Sequence, residues 1–232
     1  MKPEAAMVLS AGRGTRMRPL TDSCPKPLLE VAGQSLLDRG LAQVMGAGIP
    51  RAVVNIHHLG SMIRDHLAER EAPEIVISDE TDELLDTGGG IVKALPDLGA
   101  CFASLNSDAI WHGPNPLVAL LDAWDGAMVD ALMLLVPKER AVGYTRPGDF
   151  FLDGPRPIRR GAAESAPYVF TGAQIFRAEA FADAPEGPFS TNVIWDRLIR
   201  RRQLWAAVYD GAWVDVGTPD GLALANALVK DG

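Results

Sequence analysis

Four cations, Arg13, Arg16, Arg18 and Lys26, fall within fourteen residues of a chain whose formal net charge is −8. They surround and follow Gly12 and Gly14, residues with no Cβ to keep backbone N–H groups away from phosphate oxygens. Guanidinium and ammonium groups placed after such a turn make an anion site suited to phosphates. A Gly-x-Gly pair with basic neighbours also describes a solvated basic loop. The apolar run that leads straight into the turn favours the phosphate reading. Two better-known phosphate loops are excluded. A dinucleotide fingerprint asks for a third glycine where Met17 stands, and the Gly-Lys-Ser/Thr of a Walker loop occurs nowhere. Gly88, Gly89 and Gly90 run into Ile91, Val92 and Lys93 and fail both patterns.

Two aspartates offer the complementary charge. Asp108 closes the run FASLNSD, and Asp215 lies in WVDVGT. Ligands of open α/β sheets collect at the carboxyl ends of strands. A pair of carboxylates there suits Mg²⁺, which takes oxygen ligands and usually keeps one or two carboxylates plus substrate phosphates. Taken singly, Asp108 also reads as a turn residue and Asp215 as a cap or hairpin residue, and spacing alone does not show that they meet. Other conspicuous residues read as structural. His57 and His58 have no Cys or His partner at zinc spacing. The acidic stretch 79–86 reads as solvated, with Glu80 or Glu83 bordering a ligand as the alternative. Trp111, Trp124, Trp195 and Trp205 read as packing. Arg200, Arg201 and Arg202 suit the C-terminal turn of a helix, and nothing near Cys24 activates a thiol.

The elements that must position these groups follow from periodicity and breakers. Strands are expected at 5–9, 51–56, 74–78, 102–105, 131–136, 168–176, 204–209 and 213–216. Helices are expected at 35–47, with Ser35 as N-cap, and at 60–70, 90–95, 117–124, 192–202 and 221–230. Residues 142–167, rich in Gly, Pro and Arg, should form hairpins and loops. The first half alternates strand and helix, which implies a Rossmann-like, mostly parallel sheet with helices on both faces. The second half mixes in antiparallel pieces. No repeat or low-complexity linker divides the chain, so one domain over 1–232 is expected, with a first half at 1–137 and a second at 138–232.

Composition bounds the function. The chain has 232 residues with 47% hydrophobic and 22% charged, ordinary for a packed globular protein. A length of about 150 residues per domain allows one or two domains. The acidic balance argues against a general nucleic-acid or anionic-membrane binder. Two cysteines, Cys24 and Cys101, exclude a disulfide scaffold and suit a reducing compartment. The run near the start breaks at Gly12, too soon for a secretory signal, and no apolar run is long enough to span a bilayer. The expectation is a cytoplasmic protein, monomeric or a small homo-oligomer.

The run LSAGRGTRMRPLTDSCPKPLLEVAGQSLLDR resembles the signature of the sugar-1-phosphate nucleotidylyltransferases. That signature is roughly Leu-x-Ala-Gly-x-Gly-x-Arg-Met/Leu-x-Pro-Leu-Thr followed by Pro-Lys-Pro-Leu. DTGGGIVKAL, the Asn-x-Asp at 106–108, FTGAQIF and WVDVGTPD fall in the family's order. The Thr-Gly-Gly-Gly string and the short length are most similar to the N-acetylmuramate-1-phosphate uridylyltransferase branch of cell-wall recycling. Short guanylyltransferases for mannose or heptose 1-phosphate are also similar. A non-catalytic nucleotide-sugar-binding protein is the alternative of a different class, against which the intact Arg16, Lys26, Asp108 and Asp215 argue.

The resemblance implies a nucleotidyltransferase-type fold and Mg²⁺-dependent transfer of a nucleotidyl group from a nucleoside triphosphate, UTP first, to a sugar 1-phosphate. It places Ala11, Gly12 and Gly14 along the nucleotide, with Arg16 on the triphosphate, Lys26 on the sugar phosphate or α-phosphate, and Thr87 and Gly88 near the base. It makes Asp108 and Asp215 the metal ligands, with Arg16, Lys26 and Asp108 catalytic. It lines the sugar pocket with Asp149, Thr171 and Gly172. The family usually has Gly before the metal aspartate, where this chain has Ser107. A left-handed φ there would disturb the site.

Overall fold

The computed structural model describes residues 2–230. Residues 1, 231 and 232, part of the expected 1–232 domain, lie outside the described residues. Chain order is β1 (Ala5–Leu9), β2 (Glu30–Val31), β3 (Gln34–Ser35), α1 (Leu36–Gly46), β4 (Arg51–Ile56), α2 (Gly60–Leu67), β5 (Glu74–Asp79), α3 (Asp86–Leu98), β6 (Cys101–Asn106) and β7 (Ala109–His112). There follow α4 (Pro116–Ala123), β8 (Ala131–Pro137), β9 (Ala141–Val142), β10 (Phe150–Asp153), β11 (Arg156–Arg159), β12 (Tyr168–Arg177), α5 (Asn192–Arg201), β13 (Leu204–Val208), β14 (Ala212–Asp215) and α6 (Pro219–Lys230).

A nine-stranded mixed sheet forms the centre. β5, β4, β1 and β6 are parallel neighbours. β12 runs antiparallel between β6 and β8, and β13 joins the far side of β8 in parallel. The hairpin β10–β11 extends the sheet beside the start of β12. The expected hairpin region thus supplies two strands of the main sheet.

Strand alternation builds two cores, one on each face. Ala6 and Val8 of β1 pack with Leu37 and Leu41 of α1, Ile63 of α2 and Leu117 of α4. Ala5 and Met7 belong to the opposite cluster, with Ile91 of α3 and Ile194 of α5. α1 starts where the Ser35 hydroxyl accepts from the Asp38 N–H at 3.0 Å, a side-chain cap for an otherwise unpaired donor.

A second sheet of three short strands, β7, β14 and β9, was not anticipated at β7. It rests on α6 through Ile110, Val214, Val216 and Ala225. α3 also begins earlier than expected. Its first two turns contain Gly88, Gly89 and Gly90, poor helix formers, because all three are buried against neighbours that leave no room for side chains. Among the described residues, no helix is long and apolar enough to cross a membrane.

Candidate active site

β1 ends in a loop that turns back toward the sheet. Gly14 adopts φ +61°, and a Cβ there would lie 2.9 Å from Thr21 Cγ2 and 3.0 Å from Lys26 Cβ. Only glycine therefore lets the first and last parts of the loop lie against each other. The Thr21 hydroxyl donates to Gly14 O at 2.8 Å and locks that approach. Two of the four cations, Arg16 and Lys26, line the cavity beneath the loop. All three arginines are exposed, but Arg13 and Arg18 line neither of the cavities that Arg16 borders, and Arg18 pairs with Asp22. Alternation in a short loop with single-turn helices turned them to solvent, so the expected four-cation site reduces to two.

Lys26 Nζ reaches Asp108 Oδ2 at 2.6 Å, with the two side chains 11% and 29% exposed. Asp108 sits in the turn after β6, beyond Ser107. Ser107 is not among the positive-φ residues. Its N–H and hydroxyl both donate to Leu9 O, at 3.2 and 2.8 Å. Serine therefore replaces the usual glycine without strain and ties the β6 turn to the end of β1.

Asp215 arrives from the other end of the chain. β14 pairs antiparallel with β7, with Asp215 opposite Ala109, and the Val216 N–H donates to Asp108 O at 2.8 Å. That pairing brings together the two aspartates whose meeting the spacing left open. Burial first, and then the charge of Asp108, push the Asp215 carboxyl above its ordinary value, against the pull of Lys26, Arg146 and Arg16. Asp215 Oδ2 also accepts from Arg146 at 3.0 Å.

Two chambers meet at this point. The first, about 470 Å³, is lined by Ala11, Gly12, Gly14, Arg16, Lys26 and Thr87, among others. The second, about 480 Å³, contains Asp149, Thr171, Gly172 and Asp215 in its wall. Leu9, Arg16, Thr87, Asn106 and Asp108 line both. Thr171 and Gly172 lie where the β12 register shifts, between Phe170 and Gln174. The Asp149 carboxylate accepts from the Phe170 N–H at 3.0 Å, and Tyr144 OH donates to its other oxygen at 3.4 Å.

Gly88 differs from expectation, because it lines neither chamber. A Cβ there would lie 2.3 Å from Phe189 Cε2, and the Gly88 N–H donates to Phe189 O at 2.8 Å. It docks α3 on the 187–191 loop, and its neighbour Thr87 is the one that faces the cavity.

Within the stretch read as solvated, Glu80 is fully buried and lines the first chamber, the alternative the sequence offered, but the buried polar chain that holds it through Asn55 was missed. The Ser10 N–H donates to Asn55 Oδ1 at 2.6 Å, and Asn55 Nδ2 donates to Glu80 Oε1 at 2.7 Å. Glu80 Oε2 then accepts from the Leu85 N–H at 3.0 Å. A signal existed: Asn55 is the one polar residue within the buried part of RAVVNI. The histidines serve loops. His57 Nδ1 meets Glu80 O at 2.8 Å, and His58 Nε2 meets Thr21 O at 3.2 Å. Trp195 is buried, with its N–H on Gln174 Oε1 at 2.8 Å.

Comparison with known proteins bears on the family and the fold. A family model described as nucleotidyl transferase matches residues 5–232. The chain is 41% identical to an N-acetylmuramate alpha-1-phosphate uridylyltransferase of Caulobacter vibrioides, covering 99% of this chain and 98% of that one. It is 34% identical to the protein of the same name in Neisseria meningitidis, over 96% and 97%. The crystal structure of a putative glucose-1-phosphate thymidylyltransferase from Bacillus anthracis superposes with a TM-score of 0.83 at 17% identity, covering 98% and 96% of the two chains.

Proposed function

The chain belongs to the nucleotidyl transferase family, and from that membership we propose that it joins UTP to N-acetylmuramate 1-phosphate, releasing pyrophosphate. One observation carries the reading. Arg16 and Asp108 stand in the wall common to two chambers of similar size, with Lys26 on one side and Asp215 on the other. Such a wall is where two anionic substrates must be brought together. The uridylyltransferases named above support the choice of base and sugar.

An ionised oxygen of the sugar phosphate attacks the α-phosphorus of the triphosphate. A new P–O–P bond forms, the α–β bond breaks, and pyrophosphate leaves with the electron pair. The nucleophile is already charged, so no side chain needs to remove a proton. The barrier is the repulsion of like charges and the cost of alignment. Gly12 and Gly14 present backbone along the triphosphate, Arg16 holds its oxygens, and Lys26 receives charge near the α-phosphate. Asp108 fixes the Lys26 ammonium before substrate arrives.

The carboxylates of Asp108 and Asp215 fit a hard divalent cation. Burial first and then the charge of Asp108 raise the Asp215 carboxyl, a cost a cation between them would relieve, and oxygen donors suit Mg²⁺. Among the described residues no third His, Cys, Asp or Glu joins them, so the remaining ligands would come from phosphates and water. When bound, Mg²⁺ neutralises phosphate charge and orients the reacting groups.

The test is a matrix of four nucleoside triphosphates against N-acetylmuramate, N-acetylglucosamine, glucose, mannose and heptose 1-phosphates, read by pyrophosphate release. The highest kcat/KM should fall on UTP with N-acetylmuramate 1-phosphate. GTP with mannose or heptose 1-phosphate as the best pair would replace this assignment. No release with any pair would remove the enzymatic reading.

A further inference from the structure

The second chamber holds more positive charge than phosphate transfer has used. Four arginines line it: Arg16, Arg146, Arg159 and Arg160. Arg146 is paired with Asp215, and Arg159 with Asp196 at 2.8 Å while it lies over the Phe150 and Trp195 rings. Arg16 belongs to the wall common to both chambers. Arg160 is different. Its Nε donates to Gly148 O at 3.1 Å and its Nη1 to Ala163 O at 2.7 Å. Neutral carbonyls hold the guanidinium, and no carboxylate balances it among the described residues. Its Nη2 has no partner among them either. Asp149, the acid that shares the chamber wall with it, spends its carboxylate on Phe170 and Tyr144, and neither Asp153 nor Glu164, the acids nearer in sequence, is hydrogen-bonded or ion-paired to it.

A half-buried guanidinium fixed on two sides, with donors left over and no counter-ion, is prepared for an anion. The reacting phosphates do not supply it. They meet where Arg16 and Asp108 line both chambers, whereas Arg160 lines the second chamber alone. We propose that Arg160 pairs with a carboxylate carried by the sugar itself, and so selects acidic sugar 1-phosphates over neutral ones. The inference rests on the sugar-1-phosphate reading above, and it adds the residue that distinguishes one sugar from another.

Two sugar chemistries present such a carboxylate: a lactyl ether on the ring, and an oxidised C6. The experiment compares the parent protein with Arg160→Met, which keeps the apolar stem, and Arg160→Lys, which keeps the charge. Each is assayed by pyrophosphate release with UTP and three acceptors: N-acetylmuramate 1-phosphate, N-acetylglucosamine 1-phosphate and glucuronate 1-phosphate.

The parent should favour an acidic acceptor, and which of the two it favours identifies the source. In Arg160→Met the ratio of kcat/KM for the acidic over the neutral acceptor should fall by about 10- to 100-fold, as loss of a charge-assisted contact implies. Arg160→Lys should recover part of that ratio. An unchanged ratio overturns the proposal, whether the overall rate falls or not, because a structural or phosphate-binding role would touch all acceptors alike. A parent that uses only the neutral sugar overturns it as well. Failure of the parent with every acceptor shows on the unmutated protein first, and counts against the sugar-1-phosphate reading itself.

Discussion

Lys26 and Asp108 satisfy one another at 2.6 Å in a largely enclosed wall, so removing either leaves the other without its partner as well as emptying its own role. Lys26→Ala and Asp108→Asn should each lower kcat by about 100- to 1,000-fold, with the circular dichroism of the parent retained. Near-parental turnover in either variant would take that residue out of the mechanism. Asp215 carries a pH signature. Its carboxyl is raised, chiefly by burial. A carboxyl raised in the folded state adds stability below its unfolded value and gives that up as pH climbs through the folded value. Near neutral pH the ionised side chain is therefore a net cost. Metal-free Asp215→Asn should melt above the parent at pH 7, and the gap should close as pH falls below the ordinary aspartate value of 3.8. Equal melting at pH 7 would refute it. At this scale the sequence was legible where a residue type is rare in its setting: Lys26 beside prolines, Asp108 and Asp215 after apolar runs. It was silent on which arginines turn inward. Arg13, Arg16 and Arg18 differ in direction because of loop geometry, and no local pattern encodes that.

The site is held by pairings between elements far apart in the chain. β14 lying on β7 sets Asp215 beside Asp108, and the Ser107 bonds to Leu9 fasten β6 to β1. The strands of the main sheet were readable, because buried parallel strands are continuous apolar runs with sharp ends. β7 was not, since AIWH is short and follows a turn directly. The start of α3 was not readable either. Three glycines argue against a helix; the 187–191 loop explains Gly88 and Gly89, and the Glu80 and Asn55 side chains explain Gly90. Gly88→Ala tests that explanation. Its methyl would lie 2.8 Å from Phe189 O, a backbone atom that cannot rotate away. The substitution should cost about 1–3 kcal/mol, read as a lower urea midpoint. An unchanged midpoint would mean that the loop yields and does not constrain the helix.

Across the whole molecule, the two chambers and the acid pair should respond to ligand as a unit. If Mg²⁺ and UTP bind the folded state alone, UTP at 100 times its dissociation constant stabilises it by about 2.7 kcal/mol. The rise in melting temperature should shrink when EDTA replaces Mg²⁺, and it should be lost in Asp108→Asn. A rise that ignores EDTA would remove the metal from the binding step. The order of the parts along the chain has a further consequence. Every strand of the nine-stranded sheet has been delivered once β13 ends at Val208, while Asp215 follows on β14. Domains emerging from a ribosome fold from the N-terminus onward. A nascent chain can thus pair every strand of its main sheet before the second acidic group emerges, and competence to react waits until β14 settles on β7.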